Sequence, residues 1–151
     1  MTAQIIRTDG ASAWDLIFPD YLSMLSSIDQ ETMQRIMMNS SRVWVGEDDG
    51  KIIAVWGLVP PTLLSDVAYL WLYTTPHLRN HVFTFIRHSQ RAVEEMLHEF
   101  PRIVGHTRIN NHRGIQWLRW LGAKYGDPQG DFLPFTIEAS QCQQPASVQS
   151  A

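Results

Sequence analysis

A few residues of types that move protons or hold anions sit where an ordered element could present them to a substrate. His106 lies inside the β-branched run "RIVGHTRI" (102–109), which would hold an imidazole in place as a general base. Asp66 opens the nearly unbroken apolar run "DVAYLWLYTT" (66–75), so its carboxylate stands at the mouth of a buried strand and is a second candidate base. Tyr69, Tyr73 and Tyr125 could serve as acids. Each of these has a plainer reading: a strand tyrosine is more often a packing residue with a satisfied hydroxyl, and a lone strand histidine more often a hydrogen-bonded structural one. Where "PHLRNHVFTF" (76–85) enters a long helix, Arg79, His81 and the free N–H groups of the first turn could attract an anion. The plain alternative for Arg79 is a solvated residue at a helix start. His77, His81 and His88 lack the geometry and the cysteine or acidic partners of a metal centre, so no metal is expected.

The elements that must carry these residues can be read from periodicity. "QIIRT" (4–8) predicts a first strand closed by Asp9-Gly10, a helix follows from Ser12, and Asp29 starts a second helix over 28–39 with Met33, Ile36 and Met37 on one face. "RVWVGEDDGKIIAVWGLVP" (42–60) predicts a hairpin, because Asp48-Asp49-Gly50 supplies the positive φ of a tight turn. The run at 66–75 reads as a strand buried on both faces. In the segment 81–100, Val82, Ile86, Ser89, Val93, Met96, Leu97 and Phe100 recur every three or four residues, opposite Arg87, Gln90, Arg91, Glu94, Glu95 and His98. This is a long amphipathic helix lying on a sheet. Residues 102–109 form a further strand, a short helix ends at Leu121-Gly122, and "AKYG" with "DFLPFTIEA" makes a closing strand pair. Strands interleaved with helices in this order imply an α/β fold, a mixed sheet covered by helices on both faces.

Composition bounds the function. The 151 residues are 44% hydrophobic, enough for one core and one domain, here 1–138, with 139–151 expected as a flexible polar tail. A net charge of −3 gives no global electrostatic case for nucleic acid or an anionic membrane, and no apolar run reaches the roughly 20 residues of a spanning helix. The single cysteine, Cys142, falls in the tail, and no leader is apparent, so a reducing cytoplasm is expected. Six Trp and six Met point to a core of a few large side chains, with an exposed contact surface as the sharper alternative.

One stretch supports a resemblance. Asn111, Gly114-Ile115, Gln116, Trp117-Leu118, Arg119-Trp120 and Leu121-Gly122 fall position for position on the segment N-x-x-A-I-x-L-Y-x-x-L-G-F typical of the GNAT superfamily of acyl-CoA-dependent N-acyltransferases, which the chain resembles over residues 3 to about 138. The resemblance implies a GNAT-like fold with a mostly antiparallel sheet, and acetyl-CoA as cofactor. In that family a P-x-x-R/Q-x-x-G-x-G/A turn binds the cofactor pyrophosphate, so by position Pro76, Arg79, His81, Val82 and Thr84, together with Asn111, would be cofactor-binding. Here Val82 and Thr84 replace the two glycines, and Leu118 stands where acyltransferases of the family often carry a tyrosine acid. Residues about 65–138 are further similar to small phage proteins that include an internal virion protein of short-tailed phages.

Taken together, these readings imply a phage-encoded protein of degenerate chemistry, located in the host cytoplasm or packaged in the virion. Its partners would be other phage or host proteins, with a homo-oligomer left open. The alternative is an active acetyl-CoA-dependent N-acetyltransferase on an unknown amine, using Asp66 or His106 as base.

Overall fold

Asp49 and Gly50 hold φ of 54° and 76°, the positive values that a two-residue type I′ turn needs at both central positions. They close the hairpin of β2 (Arg42–Asp48) and β3 (Lys51–Val59), paired antiparallel from Asp48↔Lys51 to Arg42↔Leu58 with a bulge at Gly46/Glu47. The computed structural model describes residues 3–18, 20–21, 29–62 and 64–139. The polar tail beyond Ala139, and Cys142 within it, lie outside the described residues.

Among the described residues, seven strands form one mixed, mostly antiparallel sheet in the order β1-β2-β3-β4-β5-β7-β6. By internal contacts the chain divides into two compact units, one comprising the chain up to Pro60 with Leu70–Arg87, the other Pro61–Tyr69 with the chain from His88 onward. In the first, β1 (Ala3–Thr8) pairs antiparallel with β2. Helices α1 (Gly10–Ile17) and α2 (Gln30–Met38) begin at Asp9 and Asp29, whose carboxylates accept from Ser12 N and Thr32 N at 2.8 Å each. Each cap satisfies an N–H that the helix cannot pair internally. A Cβ at Gly10 would collide with the Met37 carbonyl, so the glycine lets the two helices touch backbone to backbone. Their inner faces bury Ala13, Ile17, Met33 and Met37 against Val43, Val45, Ile52, Val55 and Trp71. On the other face of the hairpin, Trp44 and Trp56 are directly opposed and stack with ring centroids 6.4 Å apart, a pairing that contributes about 0.5–1.5 kcal/mol beyond its burial.

In the second unit, the first residues of β4 (Val67–Thr74) run parallel to β5 (Arg102–Arg108) through Val67↔Arg102, Ala68↔Ile103 and Tyr69↔Val104. β7 (Phe132–Glu138) pairs antiparallel with β5 along its whole length, and β6 (Lys124–Tyr125) borders β7. The unit also holds the part of α3 (Val82–Glu99) from His88 onward, which buries Ser89, Ala92, Val93, Met96 and Leu97, and α4 (His112–Trp120), which buries Leu118. No helix among the described residues is long and apolar enough to cross a membrane.

Two sequence expectations are corrected. β4 is not buried on both faces: Tyr69 is 39% exposed, because alternation turns every second side chain to the opposite face even in an apolar run. Val82 and Ile86, read as core-facing on the long helix, are 40% and 36% exposed, and the buried stripe begins only at Ser89. A 3.6-residue period shows which side chains share a face. It does not show how far along the helix that face is covered.

Candidate functional site

The entry into α3 is built by Thr75. Its hydroxyl, 3% exposed as part of the residue, donates to the Ile52 carbonyl at 2.7 Å and accepts from His77 N at 3.2 Å, capping a one-turn 3-10 helix over Pro76–Asn80 with the proline in its first turn. Proline suits this place because its missing N–H would have had no partner there. His81 ends the turn through its N–H to Leu78 O, and its own carbonyl accepts from Phe85 N at 3.0 Å to open α3. Pro76, Arg79 and Asn80 are exposed, Val82 begins α3 with its side chain in solvent, and Thr84 is half-buried. Phe83, between the two positions where the resemblance expected glycines, is 84% exposed.

His81, read from sequence as a group that could attract an anion, faces a carboxylate instead. Its Nδ1 lies 2.7 Å from Oδ2 of Asp48, the last residue of β2, whose side chain is only 5% exposed. Asp49 joins them: Asp48, Asp49 and His81 each offer a ligand atom within 4.8 Å of the others. The reading that His81 lacks acidic partners is therefore corrected. The partners lie 33 residues away in sequence for Asp48, and only the hairpin's place beside the helix entry unites them.

In the second unit, Asp66 precedes β4 with an exposed side chain, and its backbone carbonyl accepts from Arg102 N at 3.3 Å. His106 is exposed on β5 opposite Pro134 of β7. Its ring lies 5.9 Å from that of Tyr69 and 6.5 Å from that of Phe132, and the Arg108 guanidinium lies over the Phe132 ring at 5.0 Å. No hydrogen bond or ion pair among the described residues joins His106 to Asp66. Burial pushes the Tyr69 phenol up from its ordinary value, so it stays protonated through the neutral range.

Asn111 acts as a cap. Its side chain accepts from Gly114 N at 3.1 Å and donates to Thr107 Oγ1 at 3.2 Å, and a Cβ at Gly114 would run into it. The motif position thus has a complete structural explanation at the start of α4. Farther along that helix, Leu118 is 6% exposed, while Trp117 donates its indole N–H to Ser89 Oγ at 3.0 Å and Trp120 is 55% exposed. Tyr125 donates to the Ile115 carbonyl at 2.8 Å, and burial raises its pKa against the opposing pull of Arg119. Tyr73 is half-buried beside Trp71, with ring centroids 6.2 Å apart. Sequence reasoning missed Asp48 and Asp49 as site residues. Their one signal was a pair of acids at a tight turn, which the hairpin alone explains.

No protein-family model matches the chain, and no curated protein matches it in sequence. Solved structures do match in shape. A variant of the spermidine N-acetyltransferase SpeG from Vibrio cholerae superposes with a TM-score of 0.69 at 12% identity, over 96% of this chain and 98% of that one. The ribosomal-protein alanine N-acetyltransferase from Escherichia coli gives 0.65 at 12%, over 99% and 100%. An IAA acetyltransferase from Bacillus cereus gives 0.63 at 12%, over 91% and 99%. At this identity the likeness shows the fold, which is the GNAT N-acetyltransferase fold.

Proposed function

We propose that this chain is a catalytically degenerate protein on a GNAT scaffold that acts through protein contacts, as a phage virion component or as an assembly or host-interaction factor. The observation that carries the reading is the chemistry at the start of α3. Where a cofactor pyrophosphate would need close-approaching backbone and positive charge, the chain holds the buried Asp48 carboxylate against His81 and presents Val82 and Phe83 to solvent. A fixed carboxylate repels a second anion, and β-branched side chains at the glycine positions keep it at a distance. Leu118 adds to this, since it is buried and has no proton to give. The exposed Val82 and Phe83 on α3, and Trp120 on α4, are apolar side chains of the kind that anchor protein interfaces. The phage assignment rests on the sequence resemblance of residues 65–138.

The test is titration of the purified protein with acetyl-CoA by calorimetry, with a parallel thermal-shift series, because a ligand that binds only the folded state must raise its stability. The expected result is no heat and no shift up to millimolar cofactor. Micromolar binding would overturn the reading.

A second reading, an acetyl-CoA-dependent N-acetyltransferase on an unknown amine, is favoured by one observation: a protonated phenol, Tyr69, beside a solvent-facing imidazole, His106. Such a pair could serve as acid and base. It would require acetyl-CoA binding together with turnover that disappears in both Tyr69→Phe and His106→Gln.

A further inference from the structure

We propose that Asp48, Asp49 and His81 form a binding site for a divalent first-row transition ion, with zinc as the reference ion. Two observations support it independently. The first is geometric: three side chains from the β2–β3 turn and the start of α3 bring one ligand atom each within 4.8 Å of one another. Tetrahedral zinc with bonds of about 2.0–2.2 Å spaces its ligands roughly 3.4 Å apart, so the Asp48 and His81 donors, now 2.7 Å apart, need open only slightly while Asp49 moves inward. The second is an unsatisfied group. Oδ1 of Asp48 is buried and has no hydrogen-bond partner among the described residues, although the other oxygen of the same carboxylate faces His81. A buried carboxylate oxygen without a hydrogen bond has lost its water without replacement, and a cation beside that carboxylate would supply both charge and a bond.

The donor set selects the class of ion. An imidazole nitrogen with two carboxylates suits zinc, iron, cobalt or nickel, whereas magnesium and calcium take oxygen alone. Burial grades outward from Asp48 through the half-buried His81 to the exposed Asp49, so an ion would enter from the Asp49 side and keep water on its open positions. The dipole at the start of α3 opposes a cation with about half a positive charge, against two formal negative charges from the aspartates. Attraction wins.

The site shares Asp48 and His81 with the functional reading, and the zinc titration and an acetyl-CoA titration of the metal-free protein can fail separately. Untagged full-length protein, stripped with chelator and dialysed, is titrated with zinc chloride by calorimetry and followed by thermal shift, with magnesium chloride as the comparison. One-to-one zinc binding is expected, with a melting temperature that rises and falls back on adding EDTA, and no response to magnesium at the same concentration. Asp49→Asn and His81→Gln, each checked for folding by circular dichroism, should weaken zinc at least tenfold. Asp49 is exposed at a turn, so its variant tests the site without disturbing the core. Absence of stoichiometric binding would overturn the proposal, and so would zinc affinity unchanged in both variants, which would put the ion on other histidines.

Discussion

The indole N–H of Trp117 on α4 donates to the hydroxyl of Ser89 on α3 at 3.0 Å, a bond between two helices whose donor and acceptor lie 28 residues apart. Ser89 is 6% exposed and sits in a stripe of apolar residues, where a serine is explained by the indole it serves. Ser89→Ala leaves that indole without this acceptor and should destabilise the fold by about 1–3 kcal/mol. In a Trp117→Phe background the same substitution should cost less. Urea denaturation of the four proteins gives the coupling directly, and equal losses in both backgrounds would remove Ser89 from this role.

Restoring the family's tyrosine should harm the fold and bring no activity. Leu118 is 6% exposed, and Leu118→Tyr forces a ring and a hydroxyl into a space filled by an isobutyl group. Overpacking of this kind costs about 1–3 kcal/mol. The urea midpoint should fall, and thiol release from acetyl-CoA should stay at background. A gain in turnover would show that only the acid had been missing.

Gly57 on β3 is a packing glycine: a Cβ there would stand 2.6 Å from Cζ2 of Trp71, whose own N–H is tied to Ser40 Oγ at 2.9 Å. The indole belongs to the core of its unit and has little room to yield. Gly57→Ala should therefore cost about 1–3 kcal/mol, although alanine is ordinarily harmless in a strand. Thermal unfolding checks it, and a neutral result would mean that Trp71 moves freely.

Much of this architecture was legible in sequence because it rests on local chemistry. Asp29 and the Asp49-Gly50 turn declare themselves within four residues, and 3.6-residue periodicity places α3 within a residue of its ends. What escaped was non-local. Nothing in the text near His81 points to Asp48, and nothing near Ser89 points to Trp117, because each contact depends on which elements the sheet sets side by side. The one-turn helix at Pro76–Asn80 was missed for a related reason: its cap, Thr75, is fixed by a bond to Ile52 on β3. Asn111, singled out by motif, proved to have a capping role that local spacing already allowed.

The helix caps give a pH dependence of definite sign. The backbone N–H of Thr32, followed by its hydroxyl, holds the Asp29 carboxyl below the ordinary value of 3.8. A carboxyl more acidic in the folded chain than in the unfolded one stabilises the fold above the unfolded value, and that stabilisation disappears as pH falls through the lower folded value. Asp29→Ala should thus lower the melting temperature at pH 7, and the gap from the parent protein should narrow as pH falls through the lowered folded value of Asp29, where the parent's cap is uncharged as well. Asp9→Ala should behave in the same way at α1, since Asp9 is held down by the backbone of Ser12. Melting curves of the three proteins across pH 2 to 7 decide it; a gap that stayed constant with pH would mean that the caps act through shape alone and not through charge.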